Sequence, residues 1–185
     1  MSTEGYTDIM EHTIDSRRVF DGLILHIDHI TNRLPNGKTA AREIARHVGA
    51  SAVVPVDDEG NVYLVRQFRA PLDMVLLEVP AGKLDYAGED RLQAAKRELQ
   101  EETGLTAAEW SHLMDLHTTP GFTDEKISLY LARGLSAGES HPDEDEFLNL
   151  VRVPLGELVQ MILRGEVSDG KTVCAVMLAN QIING

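Results

Sequence analysis

The chain has 185 residues, 43% of them hydrophobic, which suits one compact domain with at most a small appendage. Its 30 acidic and 17 basic residues give a formal net charge of −13, which argues against nucleic acid as a partner, since neutralising phosphates needs clustered Lys and Arg. Cys174 is the only cysteine, which excludes an intrachain disulfide and fits a reducing, cytoplasmic setting, and no apolar stretch approaches the ~20 residues of a membrane helix.

Residues 1–15 are polar and read as a loose start, without the basic and apolar runs of a signal peptide. From Arg17 to Val48 the β-branched and apolar residues alternate roughly, as short strands do, and Asn36-Gly37 marks a tight hairpin turn. "TAAREIARHV" has helical propensity, but between that turn and Gly49 it reads as a strand. "ASAVVPVDDEGNVYLVRQFR" reads as a second hairpin turning at "DDEGN", and "MVLLEVPAG" as a strand ending at Pro80. "GEDRLQAAKRELQEETG" is a helix stopped by Gly104. "WSHLMDLHTTPG" and "KISLYLARG" read as strands around the loop 118–125, and "SAGESHPDEDEF" as an acidic loop. "LNLVRVP" is a short strand, and "PLGELVQMILRGE" and "GKTVCAVMLANQII" are amphipathic helices. Strands mixed with a few helices predict an α/β or α+β domain.

The helix before Gly104 carries the chemistry. "RELQEETGL" places Glu98, Glu101 and Glu102 at its C-terminal end, where the macrodipole disfavours each by roughly 0.3–1 kcal/mol. At i,i+3 and i,i+4 spacing they also repel one another. Either all three are solvated, or a cation sits among them. Hard divalent ions such as Mg²⁺ take oxygen ligands, and three carboxylates on one helix face can hold one or more. Arg97, four residues before Glu101, can orient it. The turn at "PAG" can add the Ala81 carbonyl, with Gly82 allowing close approach. Metal held by carboxylates commonly serves phosphate chemistry.

The pattern is longer than the glutamates. Gly82, six residues, Glu89, seven residues, then Arg97-Glu98-Leu99-x-Glu101-Glu102-x-Gly104-Leu105 resembles the Nudix box, G-x5-E-x7-R-E-U-x-E-E-x-G-U, with U a bulky aliphatic residue. The one departure is the extra residue between Gly82 and Glu89, in a loop where insertions are tolerated. The resemblance implies the Nudix fold, a mixed sheet sandwiched between helices, and hydrolysis of a nucleoside diphosphate linked to another group. It implies metal ligation by Glu98 and Glu102, with Glu101 a ligand or just behind one and the Ala81 carbonyl completing the set. The expected metal is Mg²⁺, with Mn²⁺ possible.

Pro120 lies sixteen residues after Gly104, within "TTPGFTDE". With "LPNGK", "REI", "VRQFR", "EVPAGKL" and "PGFTDE", the chain is similar to the ADP-ribose pyrophosphatase branch over roughly residues 17–180. That similarity implies cleavage of ADP-ribose, a nucleotide sugar, to AMP and ribose 5-phosphate. It also implies a homodimer in which an N-terminal antiparallel β-domain (1–48) serves dimerisation and residues 49–185 form the hydrolase domain. By position, Arg69 is expected to hold the pyrophosphate, Glu43 to lie near the adenine, Pro120 to bind substrate, and Glu125 to face substrate or metals. The plain alternatives are a surface cation at Arg69, an exposed strand residue at Glu43, a strand-start residue at Glu125 and an ordinary turn at Pro120. Glu144 or Glu146 of the acidic loop is expected as general base, Glu144 preferred, with Glu101 the next candidate; the alternative is a solvated charge run.

Other signals fail. "GLSAG" fits a nucleophile elbow, but a proline-containing loop follows where a helix is needed. The seven histidines show no H-E-x-x-H spacing, and "DDEGN" lacks the twelfth-position glutamate of a calcium loop. Two rival functions stand beside ADP-ribose hydrolysis: hydrolysis of another nucleotide sugar or nucleoside diphosphate derivative, and a non-catalytic nucleotide-binding module, against which the intact Arg97, Glu98, Glu101 and Glu102 argue.

Overall fold

In a computed structural model, which describes residues 5–138 and 147–185, the described residues form ten strands and three α-helices. They divide into two units: the chain up to His47 with Thr119–Glu125, and Val48–Thr118 with the chain from Lys126 onward.

The first unit is an antiparallel meander of β1 (His12–Asp21), β2 (His26–Arg33) and β3 (Thr39–Arg46), in that order. β1 begins inside the stretch expected to be loose. Thr13 pairs with Asn32 across the sheet and its hydroxyl donates to the Asn32 amide oxygen at 2.9 Å, so pairing orders a polar segment that has little propensity of its own. The Asn36-Gly37 turn forms as expected: Gly37 has φ +80°, and the Leu34 amide donates to the Lys38 carbonyl at 2.8 Å. That turn fixes "TAAREIAR" as a strand against its helical propensity. The segment Thr119–Glu125 adds to this unit through Thr123, whose hydroxyl donates to the Ala45 carbonyl at 2.9 Å.

The second unit contains β4 (Ala50–Pro55), β5 (Asn61–Arg69), β6 (Met74–Glu78), β7 (Ala81–Lys83), α1 (Arg91–Thr103), β8 (Leu105–His117), β9 (Lys126–Ala137), β10 (Asn149–Pro154), α2 (Leu155–Leu163) and α3 (Gly170–Asn184). Its main sheet runs β7-β4-β9-β8, with β4 and β9 parallel and the other pairs antiparallel. A three-stranded antiparallel sheet runs β10-β5-β6.

The expected β4–β5 hairpin is corrected here. The turn at residues 57–60 exists, but only a single bridge, Val56 to Val62, joins its arms, which then enter different sheets. Every residue of β4 is buried, so this strand belongs between two partners and not on a hairpin edge.

Side chains alternate across a strand, and β4 shows it. Val53 packs with Leu99 of α1 and Ala132 of β9. Its neighbour Val54 belongs to the larger cluster with Leu129, Leu158 of α2 and Val176 of α3. The mixed sheet is thus sandwiched between helices, as expected from the sequence. Among the described residues no helix is long and apolar enough to cross a membrane.

Candidate active site

α1 is framed at both ends. Asp90 caps its N-terminus, accepting the Gln93 amide at 2.9 Å, and Gly104 closes it in the left-handed region at φ +70°. Its buried face consists of Ala94, Ala95, Glu98, Leu99, Glu102 and Thr103. Glu98 and Glu102, one turn apart, therefore lie on the inward face with the apolar residues, 8% and 7% exposed. Burying carboxylates costs several kcal/mol per ion unless partners compensate. A merely solvated charge run at these two positions is excluded; Glu101 is half-buried.

Arg97 is the hub of this face. Its Nη1 donates to Glu98 Oε1 at 2.7 Å and to Glu101 Oε2 at 3.0 Å. Its Nη2 donates to the Lys83 carbonyl at 3.3 Å and lies 3.4 Å from Asp85 and 3.7 Å from Glu89. Burial works against the guanidinium's charge, but Glu98, Glu101 and Asp85 outweigh it and hold its pKa above the ordinary arginine value. Its Nε is buried without a hydrogen-bond partner among the described residues. Glu89 accepts the Asp85 amide at 2.7 Å, so the loop with the extra residue is pinned by the glutamate that follows it.

β7 lies against the same face. The Ala81 amide donates to Glu102 Oε2 at 3.3 Å. A Cβ on Gly82 would run into all three terminal atoms of the Glu98 carboxylate, so a larger residue there would displace that carboxylate. Ala81, Arg97, Glu98, Glu101 and Glu102 are thus brought together. Among the described residues no three His, Cys, Asp or Glu side chains are already gathered into a coordination shell; the carboxylates turn instead to Arg97 and to backbone amides. The donor chemistry nonetheless fits a hard divalent cation: all-oxygen side chains, two of them buried, beside a cradle that a Cβ would fill.

Arg69, at the end of β5, grips Glu78 at the end of β6 with a two-point fork: Nε to Oε1 and Nη2 to Oε2, each 2.7 Å. That grip, against the opposing effect of burial, raises the pKa of Arg69. Glu78 is 1% exposed and also pairs with Lys171. Sequence reasoning passed over both Glu78 and Lys171. The one available signal was a lone charge inside the apolar run "MVLLEVP".

The remaining expected residues lie in the first unit or outside the described residues. Glu43 is exposed on β3, opposite His29. Pro120 is exposed in the turn that Phe122 closes on the Thr119 carbonyl at 3.2 Å. Glu125 is half-buried, 3.6 Å from His47 Nδ1. Glu144 and Glu146 lie outside the described residues.

A family model described as the NUDIX domain matches residues 45–176. A curated protein called methanol dehydrogenase activator, from Bacillus methanolicus, is 44% identical over 168 residues, 90% of each chain. An ADP-ribose pyrophosphatase of Bacillus subtilis (strain 168) is 42% identical over 168 residues, again 90% of each chain. A solved structure of an ADP compounds hydrolase matches with a TM-score of 0.83 at 24% identity, covering 95% of each chain, and shares the fold.

Proposed function

The chain belongs to the NUDIX family, and from that premise we propose that it hydrolyses the diphosphate of ADP-ribose to AMP and ribose 5-phosphate in a divalent-metal-dependent reaction. The carrying observation is the pair of buried carboxylates, Glu98 and Glu102, on the inward face of α1. The similarity to the Bacillus subtilis enzyme supports the choice of substrate.

Glu98 and Glu102, with Glu101 and the Ala81 carbonyl, would hold the metal, for which Mg²⁺ is proposed and Mn²⁺ is the alternative. A divalent ion held by these groups would supply Lewis acidity toward a phosphoryl oxygen and toward water. Arg97 keeps Glu98 and Glu101 in place. Arg69, its plane fixed by the fork on Glu78, is assigned to diphosphate oxygens on the sequence argument, with Nη1 outside that fork. Glu43, Pro120 and Glu125 are assigned to the substrate side on the sequence argument. On the same argument Glu144, or else Glu146, accepts the proton of the attacking water.

Dimerisation is assigned to the N-terminal β-domain expected over residues 1–48, most of which lies in the first unit. β1 is exposed along its whole length, with Ile14, Val19 and Phe20 open, and Leu23 after it is 99% exposed. A sheet edge and apolar surface of that kind are ordinarily covered. Light scattering should give a dimer mass, and a monomer at working concentration would remove this assignment. The single cysteine supports a cytoplasmic setting.

The test is incubation with ADP-ribose and Mg²⁺, with products resolved by chromatography, beside Glu102→Gln. AMP and ribose 5-phosphate from wild type, and little from the variant, are expected. No cleavage by folded protein with Mg²⁺ or Mn²⁺ would overturn the proposal and turn attention to other nucleotide sugars. The activator name of the Bacillus methanolicus relative favours a second reading, a role on a partner enzyme. Stimulation of a dehydrogenase by a preparation unable to cleave ADP-ribose would favour it.

A further inference from the structure

The Glu78 cluster sits outside the glutamate helix and sets two cations on one buried carboxylate. Both oxygens of Glu78 accept from Arg69, and Oε2 also accepts from Lys171. Lys171 reaches Asp169 as well, at 3.1 Å. Asp169 caps α3 by accepting the Thr172 amide at 3.0 Å and its hydroxyl at 2.6 Å. The Thr172 oxygen in turn accepts the Val79 amide at 2.9 Å, tying the first turn of α3 to the residue after Glu78. The two cations differ in access: the Lys171 side chain is 10% exposed and that of Arg69 38%.

One fork already supplies Glu78 with two charge-assisted hydrogen bonds. A guanidinium paired alone with a buried carboxylate has its charge committed to that carboxylate. Lys171 on the same oxygen shares that anion, so less of the Arg69 charge is committed to Glu78. The fork uses Nε and Nη2, so Nη1 lies outside the pair. The Glu78 fork is the main cause of the raised Arg69 pKa, with the charges of Asp169 and Glu102 adding to it.

We propose that Lys171 is a positioning residue for the substrate diphosphate: by sharing the buried Glu78 carboxylate it leaves Arg69, held in a fixed plane by the same carboxylate, able to bind phosphate oxygens. This rests on the diphosphate substrate proposed above. Lys171 itself touches no substrate. Its effect runs through Glu78 to Arg69.

The test compares wild type, Lys171→Met, Glu78→Gln and the double variant, each assayed with ADP-ribose and Mg²⁺ and each titrated with ADP in EDTA by calorimetry. Lys171→Met should raise KM about tenfold and weaken ADP binding by the same factor, with kcat within about twofold, because ground-state binding is what it removes. In the Glu78→Gln background the same substitution should change KM and ADP affinity less than about twofold, since Lys171 then has no carboxylate to share. A lysine that only supports the fold would act equally in both backgrounds, and that result overturns the proposal. So does a folded Lys171→Met with unchanged KM and ADP affinity. If Lys171→Met loses its thermal transition, Lys171→Gln, which still donates to Glu78 without charge, is read in its place. Loss of the transition in both makes Lys171 structural and overturns the proposal. If wild type leaves ADP-ribose intact, the function proposed above falls, and the ADP affinities alone decide the role of Lys171.

Discussion

Two buried-carboxylate clusters lie in the second unit, and they differ in charge balance. On α1 one guanidinium, Arg97, lies within 2.7–3.7 Å of Glu98, Glu101, Asp85 and Glu89. Around Glu78 the signs match: Arg69 and Lys171 stand against Glu78 and Asp169. A balanced buried cluster holds elements together. An anion-rich one costs stability until another cation joins it. The difference separates the place where a metal is expected from the place that braces the sheet, although both contain deeply buried glutamates.

Opposite responses to the same chemical change would test this contrast. Glu98→Gln should lower turnover roughly 10³-fold, by analogy with removal of a key electrostatic group. In the metal-free protein it should leave the thermal midpoint unchanged or raise it, since Arg97 keeps three other carboxylates. Glu78→Gln should instead destabilise by about 3 kcal/mol, the low end for a broken buried pair because Arg69 is partly exposed. Denaturant titration in EDTA reads both. Two variants destabilised alike would erase the distinction. The pH dependence sharpens it. Burial pushes the Glu78 pKa up, but the Arg69 fork and Lys171 outweigh burial and hold it below its ordinary value of 4.5. The stability this residue confers is therefore complete above that value and is lost as pH falls through the lower, folded-state value. The gap in unfolding free energy between wild type and Glu78→Gln should narrow below pH 4.5.

The general base comes next in size. Glu144→Gln should slow turnover by about 10² and steepen no stability curve, as general-base loss does. Glu146→Gln should do little. Full turnover in both variants would move the role to Glu101. Gly82→Ala follows. Its methyl would displace the Glu98 carboxylate, and overpacking of this kind costs about 1–3 kcal/mol. Metal affinity by calorimetry should fall with it, whereas Gly156→Ala, with open space around it and no left-handed φ, should leave affinity unchanged.

The α1 cluster was legible in the sequence because it is local. Helical spacing alone puts Glu98 and Glu102 on one face, and Gly104 marks the end. What spacing did not reveal is that this face points inward. The Glu78 cluster was not legible, because Glu78 and Lys171 meet across 93 residues. No local period links a strand end to a helix start that far away. The β4–β5 misreading has a similar cause. A turn signal at residues 57–60 suggested a hairpin, while the unbroken apolar run before it already had the composition of a strand buried on both faces. β7, three residues long, is fixed by pairing with β4 and has no pattern of its own. β1 began early for the same reason, its polar start ordered by β2.

The smallest expected effect concerns the two helix caps, which repeat the contrast between a local frame and an integrated one. Asp90 caps α1 by accepting the Gln93 amide. Asp90→Ala should cost about 1 kcal/mol, the usual loss for a cap. Glu98 lies two turns further along, so metal affinity should not change. Asp169 caps α3 but also accepts from Lys171 and from the Thr172 hydroxyl. Asp169→Ala should therefore cost more, roughly 2–3 kcal/mol, the cap plus hydrogen bonds to a charged group. Denaturant midpoints of the two variants measured side by side decide this. Equal losses would mean that Asp169 contributes only its cap, and that the charge matching around Glu78 ends at Arg69 and Lys171.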